Sequence, residues 1–148
     1  MATTNYLRAH WWLYLGRNRS RREDYRGALT CYECVLRLFP NHLRALANVG
    51  NCLQHQGRYI EAISFYHRAL QERPDYADVH ARLALIFLNL QRYQESVDSF
   101  NRAFRIKPSL RDEPWCSAAS ANALWGVGQR EDALALYKAA SNTTRSIH

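Results

Sequence analysis

The side chains best suited to chemistry are four cysteines, six histidines and one dense run of arginines. Cys31 and Cys34 have the C-x2-C spacing of thiol redox and zinc sites. Such a pair is active at a helix N-terminus, and it holds zinc when a second pair or spaced histidines complete a tetrahedron. Here it falls inside a stretch of helical periodicity, and Cys52 and Cys116 stand alone. These thiols therefore read as small fillers of helix–helix contacts. His10, His42, His55, His67, His80 and His148 show no metal-ligand spacing, and His80 occupies an interhelical packing position. There is no G-x-S-x-G elbow, phosphate loop or zinc-protease motif, and Gly126-Val-Gly128 lacks the remaining glycine of a dinucleotide loop. The expectation is a chain with no catalytic residues, no cofactor and no metal.

Arg17, Arg19, Arg21, Arg22 and Arg26, set against Glu23 and Asp24, form the charge cluster of a chain with net charge +7. A basic balance permits acidic proteins, nucleic acid or membrane surfaces as partners. The cluster could grip phosphates, giving an RNA- or DNA-binding alternative, but a basic run without interleaved aromatic platforms is weak evidence. A solvated loop is favoured, with binding to nucleic acid expected to vanish at moderate ionic strength. Tyr6, Trp11, Trp12 and Tyr14 could stack bases. At helical spacing they more often cover an end of the fold or form a self-association face.

The elements that position these residues follow a beat. Pro40, Pro74 and Pro108 recur every 34 residues, as do Tyr25, Tyr59 and Tyr93, and Tyr32, Tyr66 and Phe100. A period of this length marks a stacked array. Within one copy, Leu46, Val49, Gly50 and Leu53 form a helical stripe that Gly57 ends, and Tyr59, Ala62, Ile63, Tyr66, Ala69 and Leu70 form a second that Pro74 ends. Each copy is thus an antiparallel helix pair. At 148 residues and 47% hydrophobic the chain is long and apolar enough for one folded domain. No apolar run approaches the ~20 residues of a membrane span. The N-terminal residues lack a secretion signal, so a cytoplasmic location with reduced thiols is expected.

With Leu46, Val49, Gly50, Leu53, Ala62, Tyr66, Ala69 and Pro74 in place, the pattern resembles the tetratricopeptide repeat. Residues 77–110 match at Leu83, Ala84, Phe87, Ser96, Phe100, Ala103 and Pro108, and residues 9–42 at Trp12, Leu15, Gly16, Ala28, Tyr32 and Pro40. A fourth copy over 114–141 follows a three-residue insertion, Arg111-Asp-Glu113, and carries Ser117 and Ser120 in place of bulky residues. The resemblance implies an all-α, right-handed α-solenoid of about four repeats and eight helices. It forms a single domain over 1–142, with a polar tail over 143–148 and no structure expected from Ser141 onward. Arg19 stands where a ring packs and Glu23 where the family has glycine, so residues 17–24 are expected to fray or turn to solvent.

The resemblance implies a protein-interaction module or adaptor whose concave groove takes a peptide of another protein. Projecting the repeat onto that side gives Arg17, Arg44, Asn48, Asn51, His55, Arg82, Leu85, Leu88, Asn89 and Asn122 as the candidate partner-binding residues. Some family members clamp a terminal carboxylate with two Lys, two Asn and one Arg or Lys. Asn48 and Arg82 fit that set, while Leu13, Arg17 and Asp78 depart from it. The expectation is an extended, net-acidic peptide across the first three repeats, with an apolar residue on a Leu85–Leu88 shelf. The bland alternative pairs Arg82 with Asp78 at i and i+4. A small secretion-type chaperone is a further alternative. No membrane partner is expected, and weak self-association through the solenoid ends is.

Overall fold

The computed structural model describes the backbone of residues 1–146 and the side chains of residues 1–142. Eight α-helices account for it: α1 Ala2–Arg21, α2 Tyr25–Leu38, α3 Leu43–His55, α4 Tyr59–Glu72, α5 Ala77–Asn89, α6 Tyr93–Ile106, α7 Pro114–Gly126 and α8 Arg130–Ser146. No strand occurs among the described residues. The helices pack in successive antiparallel pairs within two compact units, Met1–Pro74 and the part from Asp75 onward. In the first unit α2 also packs on α3. In the second, α6 packs on α7.

One turn is used four times. After each first helix a residue takes a left-handed backbone, with φ of 64° at Glu23, 76° at Gly57, 59° at Gln91 and 92° at Gly128. The next amide reaches back five residues to close the helix, as Asp24 N–H does to the Arg19 carbonyl (2.9 Å) and Arg92 N–H to that of Phe87 (2.8 Å). This double-bonded helix end normally selects glycine, which has no Cβ to clash. Two of the four turns hold it with Glu and Gln instead.

The first of these corrects the expected fraying of residues 17–24. Helix α1 runs unbroken to Arg21, Arg19 reaches Asp24 (3.5 Å), and the Asp24 carboxylate caps α2 by accepting the Gly27 N–H (3.0 Å). The three-residue insertion is absorbed by a short 3₁₀ turn, Pro108–Asp112, which pins itself by burying Leu110. The absence of structure expected from Ser141 is also corrected, because α8 continues to Ser146; residues 147–148 of the polar tail lie outside the described residues.

Replacing Gln91 or Glu23 by Gly should raise stability by about 0.5–1 kcal/mol each, the relief of left-handed strain exceeding the extra chain entropy of glycine. Gly57→Ala should lower it by about 1 kcal/mol, although an added Cβ there meets no atom within 4 Å. Urea unfolding of the three variants, with slopes unchanged, checks both signs.

Candidate partner-binding site

The first-helix face is built by one contact with the second helix. The second-helix rings Tyr32, Tyr66, Phe100 and Tyr137 each stand 15 residues after the first-helix residues Arg17, Asn51, Leu85 and Asn122. Tyr66 donates its hydroxyl to Asn51 Oδ1 (2.5 Å), with Gln54 Oε1 at 3.2 Å, and Tyr137 donates to Asn122 Oδ1. Burial pushes the Tyr32 phenol upward, opposed by the nearby Arg17 charge. In the third repeat the ring is Phe100 and the residue before it Leu85, so the hydroxyl and its acceptor are absent together. The consequence for Asn51 and Asn122 is directional. The amide oxygen is held by tyrosine, and the NH2 group, a two-proton donor, is what each has left to offer.

On α5 the residues 82, 85 and 89 follow helical spacing. Arg82 is half-buried, and its guanidinium lies over the Trp115 ring of α7, 4.5 Å from the centroid. Asp78 does not pair with it; the exposed Asp78 carboxylate faces Lys107 at 3.9 Å. Stacking uses the face of the guanidinium and leaves its N–H edge for a ligand. Leu85, Leu88 and Trp115 are partly buried against the core of Ala81, Ala84, Phe100 and Cys116. Arg82, the Leu85–Leu88 shelf and Trp115 therefore share one surface. Asn89 ends α5, exposed.

In the first unit Arg44, Asn48, Asn51 and His55 form one stripe on α3, and Arg17 is exposed on α1. His55 is already engaged, its ring stacked on Tyr25 at 4.8 Å and 5°. Of the arginine cluster, Arg17, Arg19 and Arg21 lie near the end of α1, Arg22 follows it, and Arg26 lies in the first turn of α2. The aromatic residues lie toward the other end of α1, where Tyr6 stacks on Phe39 (5.0 Å) and Trp11 leans on Tyr14 (6.1 Å).

The cysteines show no activated thiol. Cys31, Cys52 and Cys116 are buried and Cys34 half-buried. Burial raises the Cys31 thiol, and pushes Cys52 and Cys116 up to about 11. Among the described residues no three His, Cys, Asp or Glu side chains group to hold a metal ion. Likewise no described helix is long and apolar enough to cross a membrane.

The tetratricopeptide repeat family profile matches residues 41–109. The chain contains tetratricopeptide repeats. Among curated proteins, the repeat segment is 33% identical over 69 residues to the peroxisomal targeting signal receptor of Saccharomyces cerevisiae, covering 47% of this chain and 11% of that protein. It is 38% identical over 64 residues to the protein O-mannosyl-transferase Tmtc2 of Drosophila melanogaster, covering 43% of this chain and 7% of that one. The matched repeats thus span about a tenth of those relatives' length. Among solved structures, MamA from Desulfovibrio magneticus superposes with a TM-score of 0.79 at 19% identity, covering 93% of this chain and 76% of that one. The TPR2B domain of yeast Sti1, in its complex with pHsp70, gives 0.72 at 16%, covering 79% of this chain and 96% of that one. At these identities the likeness is one of fold.

The Arg82–Trp115 stack is the feature of this repeat protein that residue-by-residue reading of the α5 stripe missed. Its signal was present, since Trp115 sits 37 residues after Asp78, one period plus the insertion.

Phe100→Tyr should cost about 1 kcal/mol, because Leu85 gives the new hydroxyl no acceptor. Leu85→Asn in the same chain should restore about that amount, a coupling that a double-mutant cycle by denaturant unfolding measures. At pH 8, alkylation by iodoacetamide should reach Cys34 first, with Cys31, Cys52 and Cys116 reacting only on unfolding; mass spectrometry of the labelled peptides checks the order.

Proposed function

We propose that this repeat protein is a non-catalytic adaptor that binds an extended, net-acidic segment of another protein, and that the second unit's α5–α7 surface is where it is held. The reading rests on the Arg82 guanidinium, stacked on Trp115 with no carboxylate partner among the described residues. An arginine oriented in this way presents a planar fork suited to carboxylates. The Leu85–Leu88 shelf beside it accepts an apolar side chain, and the Asn122 NH2 pairs with peptide carbonyls without demanding a sequence. In the first unit, Asn48, Asn51 and Arg44 offer donors of the same kind.

The named relatives support the class of function. One is a receptor for a targeting signal, and another is a repeat domain in a complex with pHsp70. Nucleic acid has less support, because Tyr6, Trp11, Trp12 and Tyr14 all precede the Arg17–Arg26 cluster, which runs from the end of α1 into the first turn of α2.

An acidic peptide carrying one apolar residue, titrated by fluorescence anisotropy, tests the site. Arg82→Ala should weaken it by about 1–3 kcal/mol, the scale of a charge-assisted hydrogen bond. Arg82→Lys should recover little, since lysine has neither the fork nor the stacking plane. Affinity unchanged in both Arg82→Ala and Asn122→Ala would place binding on another face.

A further inference from the structure

The last repeat contains a cavity that its own pattern explains. At the positions of Ser117 and Ser120 the earlier repeats carry Trp12 and Leu15, Leu46 and Val49, and His80 and Leu83. In the second repeat, Leu46 and Val49 are buried. Two serines in their place leave a space of about 350 Å³ among α6, α7 and α8, walled by Phe100, Phe104, Leu124 and Leu136.

The serines do not make it a polar hole. Ser120 is 5% exposed and donates its hydroxyl to the Ser117 carbonyl (3.0 Å), which satisfies that hydroxyl within the helix, while Ser117 is half-buried. No buried side-chain N or O among the described residues lacks a partner. A cavity of this kind has few polar partners for water and favours apolar occupants. Phe100 and Phe104 stack at 5.8 Å, 17° from parallel, and their edges make part of the wall an aromatic one, which suits edge-to-face contact with a third ring.

The mouth is polar. Arg111 lies over the Phe104 ring (5.4 Å), and exposed Asn101 and Asp132 complete the rim. Donors from Arg111 and Asn101 match peptide carbonyls, and the Asp132 carboxylate matches a peptide N–H. A free hydrocarbon has no use for such a rim, but a backbone crossing the mouth does.

We propose that this cavity is a second recognition site, which takes one aromatic side chain presented by a partner protein's peptide chain. It shares no residue with Arg82, Trp115, Leu85 or Leu88, so it stands or falls apart from the acidic-peptide reading.

The experiment is methyl NMR of the full chain with N-acetyl-L-phenylalaninamide as probe. Saturable shifts at the Val97, Leu124 and Leu136 methyls are expected. Ser120→Leu, which restores the bulk found at Leu83, should weaken the probe at least tenfold while the melting temperature holds or rises. Ser117→Leu, filling from the neighbouring turn, should give the same loss. Asp132→Ala should weaken the capped residue several-fold and leave toluene binding unchanged. Absent shifts, or probe binding unaltered in both serine variants, would overturn the site. Toluene binding without binding of the capped residue would overturn the partner and leave a small-molecule cavity.

Discussion

In each helix pair an aromatic ring of the second helix lies across the first helix at a place where no large side chain can stand. A Cβ added at Gly16 would come within 2.6 Å of the Tyr32 ring, and one at Gly50 within 2.5 Å of Tyr66. In the third repeat the corresponding residues are Ala84 and Phe100, both buried, and there Ser96 donates to the Ala84 carbonyl (2.7 Å). The fourth has Ala121 beneath Tyr137, a ring that stays 36% exposed. Everything else depends on this close approach. It fixes the spacing of the helices in each pair, and it decides which first-helix residues face inward to the ring and which are left outward.

From that seam the division of labour on the first helices follows. Asn51 and Asn122 lose their carbonyl oxygens to tyrosine hydroxyls and keep their amide donors. Leu85 meets a ring without a hydroxyl and turns the same position into an apolar shelf. Arg82, one turn earlier, finds Trp115 and remains without a carboxylate partner among the described residues. Surface ion pairs such as Arg58–Glu61 (2.6 Å) and Arg92–Glu95 (2.6 Å) recur on the same 34-residue beat. Both are exposed and contribute little to stability. Packing of the seam therefore carries the fold, and the polar residues it does not consume are free for recognition.

Much of this could be read from the sequence because period and packing are the same fact. A glycine repeated opposite a tyrosine, and a proline closing each of the first three copies, can be recognised without coordinates. Glu23 in the place of a glycine suggests fraying, yet the helix holds because the turn belongs to the helix pair as a whole, and only the exposure of most of residues 17–24 follows the expectation. Tertiary packing of both helices outweighs the local preference for glycine, at Gln91 as well. The polar residues from Ser141 to Ser146 carry no stop signal such as glycine or proline, and the helix runs on through them. Trp115 aligns with Asp78 once the insertion is allowed for, but its stacking on Arg82 required the packed structure. The cavity was visible as two serines out of pattern, but whether neighbours had collapsed into the space required the packed structure.

The four tryptophans offer a direct measurement, since each indole N–H gives its own NMR signal. Titrating the full chain with an acidic peptide that carries one apolar residue should shift the Trp115 indole, because the ring supports the arginine that meets the carboxylates. A saturable shift of Trp115, with Trp11 and Trp12 unmoved, is the expected result. Saturable shifts at Trp11 or Trp12 with Trp115 unchanged would contradict it, and would move recognition from the α5–α7 surface to α1.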